Sequence, residues 1–397
     1  MSEAKMSGAK TRVVVIGGGY AGVMAANHLR LADGVQITLI NPRPQFVERI
    51  RLHQLVTGSD DSVVDYGALL GDGIELVVDS ADRIDAAARR VDLASGAALD
   101  YDYLVYAVGS TGAELNVPGA AEFAYPISEY EHGEPLSAAV ADAPADAPIV
   151  VVGAGPTGME VAAELAEGGR AVTLVCGSVL GPYLGTAARR TAARRFAELG
   201  VTVLDGPGAV VTAVERDAVT LSDGRRLPSA VTVWTAGFGV PDLAARSGLT
   251  TDRIGRLLTD ETLTSVDDER IVAAGDASAP SNLPLRMSCQ AAIPLGAQAA
   301  NTVLSRIAGT PPKPLNQAFT GQCMSLGRTA GLIQLAHLDD RVMRWHISGR
   351  VAASIKEAVC KGTISFLSRE ARKPGSYFWL KGGKRAARLA DAGVAVS

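Results

Sequence analysis

Two glycine-rich turns carry the residue types and the spacing that most directly suggest chemistry. The first is Gly17-Gly18-Gly19-Tyr20-Ala21-Gly22, and the second is Gly153-Ala154-Gly155-Pro156-Thr157-Gly158. In a GxGxxG turn, the first glycine permits a tight bend, the second lets the backbone approach a pyrophosphate, and the third lets helix and strand pack closely. The pyrophosphate then lies at the N-terminus of the helix, where unpaired N–H groups favour an anion. Two such turns therefore predict two bound dinucleotides, placed so that hydride can cross between them.

Each turn lies between a predicted strand and a predicted helix. Short apolar runs at Arg12–Ile16 and Gln36–Ile40 flank the first turn and an Ala-rich helix. The same order recurs 136 residues later, as the run Ile149–Val152, the second turn, a helix to about Glu167 and the run Ala171–Val175. Such a repeat predicts an α/β fold with two Rossmann-like (βαβ) dinucleotide-binding domains.

Three further segments organise the rest of the chain. The Pro/Ala-rich stretch Val140–Pro148 is predicted to be a linker into the second domain. A helix is predicted from about Ser288 to Ile307, and Pro311–Pro314 then opens a C-terminal α+β module.

The composition is that of a globular protein. Apolar residues make up 47% and charged residues 20% of the 397 positions, which argues against disorder. The polar stretch Met1–Lys10 differs from a signal peptide, and the four cysteines form no CxxC pair, so a reduced cytoplasmic setting is expected. No long apolar run suggests a spanning helix, and the five histidines have no metal-binding spacing. Neither a metal nor a nucleic acid is a predicted ligand.

The basic residues are concentrated near the C-terminus. Positions 341–390 hold twelve Lys or Arg against two Asp or Glu, although the formal net charge of the chain is −4. Aromatic residues such as Trp345, Phe366 and Trp379 are interspersed among them. This composition suggests contact with an anionic surface or partner, including an anionic membrane at the inner face of the cell. A solvated basic helix with a disordered end after Gly382 is the alternative.

Three more motifs give a family resemblance. Tyr101–Thr111 (YDYLVYAVGST), Val231–Gly239 (VTVWTAGFG) and Ile271–Asp276 (IVAAGD) resemble conserved segments of the pyridine-nucleotide flavoprotein oxidoreductases. The resemblance covers roughly residues 12–330 and implies FAD as cofactor, with NADH or NADPH as co-substrate. It implies that residues 1–115 and 241–310 form the FAD-binding domain, residues 116–240 the NAD(P)H-binding domain, and residues 311–397 the C-terminal module, a candidate membrane or homodimer contact.

The resemblance also assigns candidate cofactor-binding residues. Asp276, after Gly275, corresponds to the family's aspartate that accepts from a ribityl hydroxyl of FAD. The other FAD candidates are Gly17, Gly19, Tyr20, Ala21, Gly22, Asn41, Arg43, Arg49, Ala107, Val108, Gly109, Gln290, Ala291 and Ala292. The candidates for the nicotinamide coenzyme are Gly153, Gly155, Pro156, Thr157, Gly158, Cys176, Ala236 and Gly237.

Two ribose-binding positions depart from the usual pattern. The dinucleotide fold usually ends its second strand with an acid that binds the adenosine ribose. The first unit has Asn41 there, whose amide can still bond a hydroxyl, and the second has Cys176. Without a carboxylate at Cys176, weak discrimination between NADH and NADPH, or a preference for NADPH aided by Arg189 or Arg190, is expected.

Within the superfamily, the chain most resembles the type II NADH:quinone oxidoreductases and the ferroptosis-suppressor-like quinone reductases. Phe46–Gly58 lacks the redox cysteine pair of the disulfide reductases. The family's glutamate at the position of Glu160 lies near flavin and nicotinamide and is proposed to move protons or charge. The alternative is an acid in the first turn of a helix, stabilised by the dipole. Arg49 and Arg51 are candidate partners of Glu160, whereas His53 is expected to be structural.

The electron acceptor is less well specified. Met287–Gly296 (MSCQAAIPLG) keeps Gln290 and Ala292 of the family's quinone motif, but Pro294-Leu295 replaces its glutamine pair. A quinone is the predicted acceptor. A ferredoxin-type acceptor docking on the basic end, and a flavin-bearing redox sensor with negligible turnover, remain alternatives. Cys289 and Cys323 are predicted to be buried, inert thiols rather than a redox pair.

Overall fold

The computed structural model describes residues 10–393, and the predicted first βαβ unit lies at the start of this range. Strand β1 (Thr11–Ile16), helix α1 (Tyr20–Leu29) and strand β2 (Val35–Asn41) match the predicted boundaries to within two residues. The elements that follow are β3 (Gln45–Val47), α2 (Leu52–Val56), β4 (Val63–Asp65), β5 (Ile74–Val78), β6 (Ala81–Asp85), β7 (Arg90–Leu93), β8 (Ala98–Asp100), β9 (Tyr103–Tyr106) and β10 (Thr111–Gly112).

The second unit repeats the pattern. Its elements are α3 (Ala120–Phe123), β11 (Ala124–Pro126), α4 (Tyr130–Asp142), β12 (Pro148–Val152), α5 (Pro156–Glu167), β13 (Ala171–Val175), α6 (Thr186–Glu198), β14 (Thr202–Leu204), β15 (Val211–Val214), β16 (Ala218–Leu221), β17 (Arg226–Pro228) and β18 (Val231–Trp234). Because α4 runs to Asp142, the first three residues of the predicted linker Val140–Pro148 are helical, and Val140 is buried. That part of the linker prediction is wrong.

The chain then returns to the first unit and ends in a further module. The elements are β19 (Phe238–Gly239), α7 (Leu243–Arg246), β20 (Leu257–Thr259), β21 (Ile271–Ala273), β22 (Ser278–Pro280), α8 (Cys289–Ile307), β23 (Gly321–Ser325), β24 (Gly331–Ala336), β25 (Val342–Ser348), α9 (Gly349–Arg372) and α10 (Arg385–Asp391). No helix in residues 10–393 combines the length and the apolarity that crossing a bilayer requires.

Two five-stranded parallel sheets form the centre of the molecule. Their strand orders are β21-β9-β1-β2-β5 and β11-β18-β12-β13-β14. Parallel strands that are covered on both faces read as continuous apolar runs, as β1 and β12 do. Both predicted Rossmann-like units are present, so the α/β prediction is confirmed.

The C-terminal module packs tightly on the first unit. The buried Glu370 carboxylate at the end of α9 accepts from the backbone N–H groups of Gly375 and Tyr377 and lies 2.6 Å from Nδ1 of His28 on α1. Beyond it, Arg385 of α10 forms a buried ion pair with Glu261, at 2.8 Å. The alternative of a disordered end directly after Gly382 is therefore wrong for residues up to 393.

Candidate dinucleotide sites and a buried charge cluster

The first glycine turn joins β1 to α1 and leaves room where an anion would bind. Gly17 has φ +102°, and a Cβ there would lie 2.3 Å from the carbonyl oxygen of Ala107. A Cβ on Gly22 would lie 1.8 Å from the Gly17 carbonyl, so helix and turn touch. Gly19, which immediately precedes α1, has no atom within 4 Å of such a Cβ. Two glycines thus close the turn, while the third leaves an open space at a helix N-terminus, as a pyrophosphate requires.

Asp276 lies beside this turn with half of its carboxylate unused. Its Oδ2 accepts from the hydroxyl of Ser110 at 2.7 Å, and the carbonyl of Ser110 accepts from Arg49 at 2.6 Å. Its buried Oδ1 has no hydrogen-bond partner among residues 10–393. A buried acceptor without a partner is costly, so a hydroxyl of a bound molecule fits here. The unpaired acceptor therefore suits a ribityl hydroxyl of FAD. Gly275, before Asp276, and Gly109 both have φ of +74°, a backbone conformation that glycine adopts without the steric cost other residues meet.

Asn41 and Arg43 have partners within the protein. The Asn41 side chain accepts from the Gly18 N–H at 3.0 Å and donates to the Arg43 carbonyl at 2.8 Å, so it holds the glycine turn in place. The Arg43 guanidinium forms ion pairs with Glu129 and Glu131 at the start of α4. Their assignment to FAD binding stays a prediction.

The second glycine turn has the same construction. Gly153 has φ +106°, and a Cβ on Gly158 would lie 1.9 Å from the Gly153 carbonyl. Gly155 again has nothing within 4 Å, and Pro156 begins α5. Thr235, which sequence reasoning missed, donates its hydroxyl to the carbonyls of Val152 and Gly153 and so fixes the turn.

A short antiparallel pair brings the two candidate sites together. Strand β10 directly follows the turn Ala107–Ser110, which is predicted to face the flavin, and β19 directly follows Ala236-Gly237, predicted to belong to the second site. Residues Thr111 and Gly112 pair with Gly239 and Phe238. A Cβ on Gly237 would lie 2.8 Å from that of Ala113. The ends of both sites therefore meet, which is the arrangement that hydride transfer between two dinucleotides needs.

The start of α8 offers polar atoms that have no partner in the described part of the chain. Because Pro294 lacks an N–H, the Gln290 carbonyl receives its hydrogen bond from Nε2 of Gln317 instead, at 3.0 Å. Oε1 of Gln290, Oε1 of Gln317 and the Tyr20 hydroxyl are all buried and unpaired. Burial raises the pKa of Tyr20 well above its ordinary value, and nearby Cys289 adds to the shift, so the hydroxyl keeps its proton. These groups can donate to or accept from a bound molecule.

A buried cluster of charged side chains surrounds Glu160. Oε1 of Glu160 accepts from the Ser325 N–H at 3.0 Å and lies 3.5 Å from Nζ of Lys356 on α9. Nδ1 of His53 lies 3.6 Å from Oε2 of Glu160, and its Nε2 lies 3.5 Å from Glu164. Glu160 and His53 are only 8% and 2% exposed. Four elements therefore supply one charge cluster inside the protein.

The charges of this cluster follow from burial and from their neighbours. Burial alone would raise the pKa of Glu160, but its interactions with His53, with the charged Lys356 and with the Ser325 N–H outweigh burial and lower this pKa. Burial lowers the pKa of His53 to about 4, so His53 is neutral near pH 7. Burial also opposes the charge of Lys356, but Glu160 raises its pKa above the ordinary value. Lys356 is therefore the cation that balances Glu160.

The expected partners of Glu160 were wrong. Arg51 forms its ion pairs with Glu48, Asp60 and Glu357, and Arg49 donates to the Ser110 and Ser128 carbonyls. His53 lies within the cluster rather than in a purely apolar core. Lys356 is 196 residues away from Glu160 along the chain, and the one sequence signal for it was a lysine on an otherwise apolar face of α9.

The described residues contain four free cysteines, three of which lie near one another. Burial raises the pKa of Cys289 to about 12 and that of Cys323 to about 11; Cys323 and Cys360 add to the shift of Cys289, and Cys360 adds to that of Cys323. Cys360 on α9 is the third member of the group. Protonated thiols are poor nucleophiles, which agrees with the prediction that they are inert.

Comparison with known proteins gives a consistent result. Residues 11–298 match the family model described as pyridine nucleotide-disulphide oxidoreductase. The chain is 32% identical over 388 residues to an NADH dehydrogenase-like protein of Mycobacterium tuberculosis, covering 88% of this chain and 93% of that protein. It is 26% identical to a type II NADH:quinone oxidoreductase of the same organism, covering 83% and 80%. It is also similar in structure to the sulfide:quinone oxidoreductase of Aquifex aeolicus, with a TM-score of 0.79, 24% identity, and coverage of 92% and 93%.

Proposed function

Since the chain belongs to the pyridine nucleotide-disulphide oxidoreductase family, we propose that it is an FAD-dependent NAD(P)H dehydrogenase that delivers electrons to a quinone. The observation that carries this proposal is the pairing of β10 with β19. It places the ends of the two candidate dinucleotide sites side by side, and each site contains an open glycine turn. A flavin, when bound, supplies the hydride and electron transfer. The protein has to bind the two dinucleotides, align them, and exclude water.

The residues available to each ligand differ. Gly19 and Asp276 hold FAD through its pyrophosphate and ribityl chain, and Gly155 receives the pyrophosphate of the coenzyme. The unpaired Tyr20 hydroxyl is the donor proposed for a quinone oxygen, and the unpaired Oε1 atoms of Gln290 and Gln317 are proposed to accept from the hydroxyls of the quinol product. They replace the glutamine pair that Pro294 and Leu295 displace.

Glu160 is proposed to relay a proton that quinone reduction consumes. Its carboxylate is ionised beside Lys356 and its pKa is lowered, so it carries the proton only transiently: it accepts a proton from the cluster or from water, passes it toward the reduced quinone, and returns to the carboxylate that the Lys356 charge stabilises. Neutral His53 lies between Glu160 and Glu164 and provides a ring nitrogen on each side.

The test is a stopped-flow measurement of the two half-reactions in purified yellow protein. NADH should bleach the flavin absorbance, and a short-chain quinone should restore it faster than a ferredoxin does. Glu160→Gln should leave bleaching within about threefold of wild type and should slow reoxidation by quinone about 100-fold, since general acid–base catalysis contributes that order. Glu198→Gln, an exposed glutamate on α6, is the matched control and should change neither half-reaction.

Three outcomes would contradict parts of the proposal. Slow reoxidation of wild-type protein with every acceptor would favour the redox sensor. Reoxidation that is faster with ferredoxin than with quinone would identify ferredoxin as the acceptor. A Glu160→Gln variant that reoxidises at the wild-type rate would remove Glu160 from the proton path.

The proposal includes docking on an anionic membrane. Val351, Ile355, Val359 and Phe366 form a row along one face of α9, and each is 37–63% exposed. We refer to this row as the α9 apolar stripe. Exposed Trp345 and Phe378 lie on neighbouring segments, and Arg344 stacks on the Trp345 ring at 4.6 Å. Apolar side chains interleaved with cations suit the interface of an anionic bilayer.

Point substitutions test this surface without disturbing the fold. Deleting residues 341–397 would also remove Lys356, Glu370 and Arg385, which are packed inside the protein. Val351→Glu with Val359→Glu should reduce co-sedimentation with phosphatidylglycerol vesicles at least tenfold, because two charges would enter the apolar interface. Val266→Glu, at a site 58% exposed, is the control and should bind like wild type. Unchanged binding of the double variant would contradict membrane docking, as would a stable homodimer that buries the stripe.

A further inference from the structure

An acidic residue lies next to the ribose-binding position that Cys176 occupies. The inference concerns which coenzyme the second site selects, and it rests on the proposed function. The usual carboxylate is missing at the end of β13, but β14 is the neighbouring strand in the sheet and Asp205 immediately follows it.

The register of the two strands fixes the position of Asp205. Strands β13 and β14 are parallel, and Val175 pairs with Leu204. The residues that follow, Cys176 and Asp205, are therefore neighbours at the carboxyl edge of the sheet, where strands lie about 4.8 Å apart and paired side chains share a face. Two hydrogen bonds hold this pairing: the Cys176 N–H donates to the Leu204 carbonyl at 2.8 Å, and the Gly206 N–H donates to the Ser178 carbonyl at 2.7 Å. The charge of Asp205 contributes to the raised pKa of the Cys176 thiol, after burial.

The Asp205 carboxylate is available to a ligand. It is exposed, and within residues 10–393 it has neither a hydrogen-bond partner nor an ion-pair partner. Carboxyl ends of strands in a dinucleotide-binding sheet face the bound nucleotide. Asp205 follows the next strand at the same edge of the sheet. It can therefore reach the ribose hydroxyls that a carboxylate usually binds from the position that Cys176 occupies.

One of the two cations that could favour a 2′-phosphate is engaged elsewhere, whereas exposed Arg190 has no partner among residues 10–393. Arg189, one of the two candidates for that role, donates to the Leu180 carbonyl at 2.8 Å and to the Leu184 carbonyl at 3.0 Å. The Asp223 carboxylate lies beside Gly208 in the loop after Asp205, and it is paired with Arg225 at 2.8 Å. Asp205 and Asp223 thus place acidic groups on both sides of the loop 205–209, and the loop itself contains no lysine or arginine.

We infer that Asp205 accepts hydrogen bonds from the adenosine ribose hydroxyls of NADH and repels the 2′-phosphate of NADPH. The chain would then supply from β14 the carboxylate that this fold usually supplies from the end of its second strand. This inference replaces the expectation of weak discrimination, which considered only Cys176. A carboxylate placed against a phosphate dianion disfavours binding by like-charge repulsion, whereas a ribose hydroxyl is a good donor to it.

The experiment is calorimetric binding of ADP-ribose and 2′-phospho-ADP-ribose to the FAD-loaded protein, because these probes lack the nicotinamide and need no turnover. Wild type should bind ADP-ribose at least tenfold more tightly than its 2′-phosphate. Asp205→Asn should reduce this preference by about tenfold, mainly through tighter binding of the phosphorylated probe. The ratio of kcat/KM for NADH to that for NADPH should fall in parallel.

A control variant accompanies this test, and the results that would overturn the role of Asp205 differ from the result that would overturn the proposed function. Asp146→Asn changes an exposed aspartate in the same domain that precedes the amino end of β12, at the opposite edge of the sheet, and it should leave the preference unchanged. If Asp205→Asn keeps the full wild-type preference, or if wild type binds both probes equally, the role of Asp205 is overturned while the proposed function stands. If neither probe binds wild type, the proposed function itself fails.

Discussion

Protein carrying Gly155→Ala should purify yellow and remain yellow when NADH is added. An alanine methyl at Gly155 would meet no protein atom within 4 Å, and the residue has φ −70°, which alanine adopts without strain. The methyl would instead occupy the space reserved for the coenzyme pyrophosphate. We expect the fold and the flavin to be retained and NADH binding to weaken by about 100-fold, or about 3 kcal/mol.

The companion variant Gly19→Ala should show the opposite behaviour. Gly19 has φ −79° and the same open surroundings, but it belongs to the first turn. That protein should fold and purify colourless, while ADP-ribose binding at the second site persists. The measurements are the visible spectrum, the far-ultraviolet circular dichroism, and calorimetry with ADP-ribose.

Two kinds of control test the assignment of these turns. Gly362→Ala adds a methyl 3.9 Å from the Phe366 ring and should affect neither site. Gly22→Ala and Gly158→Ala would place the methyl within 2 Å of a carbonyl oxygen. These two variants should therefore be insoluble or fail to fold. If Gly155→Ala loses flavin and Gly19→Ala loses NADH binding, the two turns have been assigned to the wrong dinucleotides.

The two glycine turns and their flanking elements were accessible from the sequence because their geometry is local. A GxGxxG turn between an apolar strand and a helix specifies its own geometry, so the two βαβ units were predicted with boundaries within two residues. By contrast, α4 was missed because Gly133 and Pro135 lie inside it and few of its residues are apolar. Its stability comes from packing against the sheet, which local propensity does not report.

The charged cluster was not accessible for a different reason. His53, Glu160 and Lys356 lie on three helices that are distant in the chain. Their proximity depends on how α9 packs against the sheet formed by β23, β24 and β25. Periodicity identified His53 as buried but could not show which charge it faces. The same limit applies to Asp205, since its proximity to Cys176 follows from the pairing of β13 with β14 rather than from any motif.

The described geometry also makes the protein's stability depend on pH in a defined direction. The pKa of His53 is about 4 in the folded protein, against 6.5 when it is exposed, because burial disfavours the imidazolium and Lys356 repels it. Between pH 6.5 and pH 4, His53 is therefore protonated in the unfolded chain and neutral in the folded protein. Stability that is complete above pH 6.5 is lost as the pH falls toward 4, by about 3 kcal/mol for a shift of this size.

His53→Gln should remove this dependence while keeping a polar side chain in the cluster. The midpoint of urea unfolding, followed by tryptophan fluorescence with FAD at a fixed excess, should fall less steeply between pH 6.5 and pH 4 than in wild type. Glu370, whose pKa is also lowered in the folded protein, destabilises both proteins in acid and cancels in the difference. Glu160 loses the His53 interaction that helps to lower its pKa, which flattens the slope of the variant further only near the ordinary glutamate pKa of 4.5 and below. His337→Gln, which changes an exposed histidine, should keep the wild-type slope.

The outcome also bears on how Glu160 is kept ionised. A flatter slope in His53→Gln means that His53 is neutral in the folded protein, so Lys356 supplies the charge that balances Glu160. An unchanged slope would mean that the imidazolium is present in the native cluster. In that case His53 rather than Lys356 would be the immediate ion-pair partner, and the proton proposed to reach Glu160 would come from the histidine ring. The pH dependence of unfolding thus distinguishes two proton donors that the distances of 3.5 Å and 3.6 Å leave nearly equivalent.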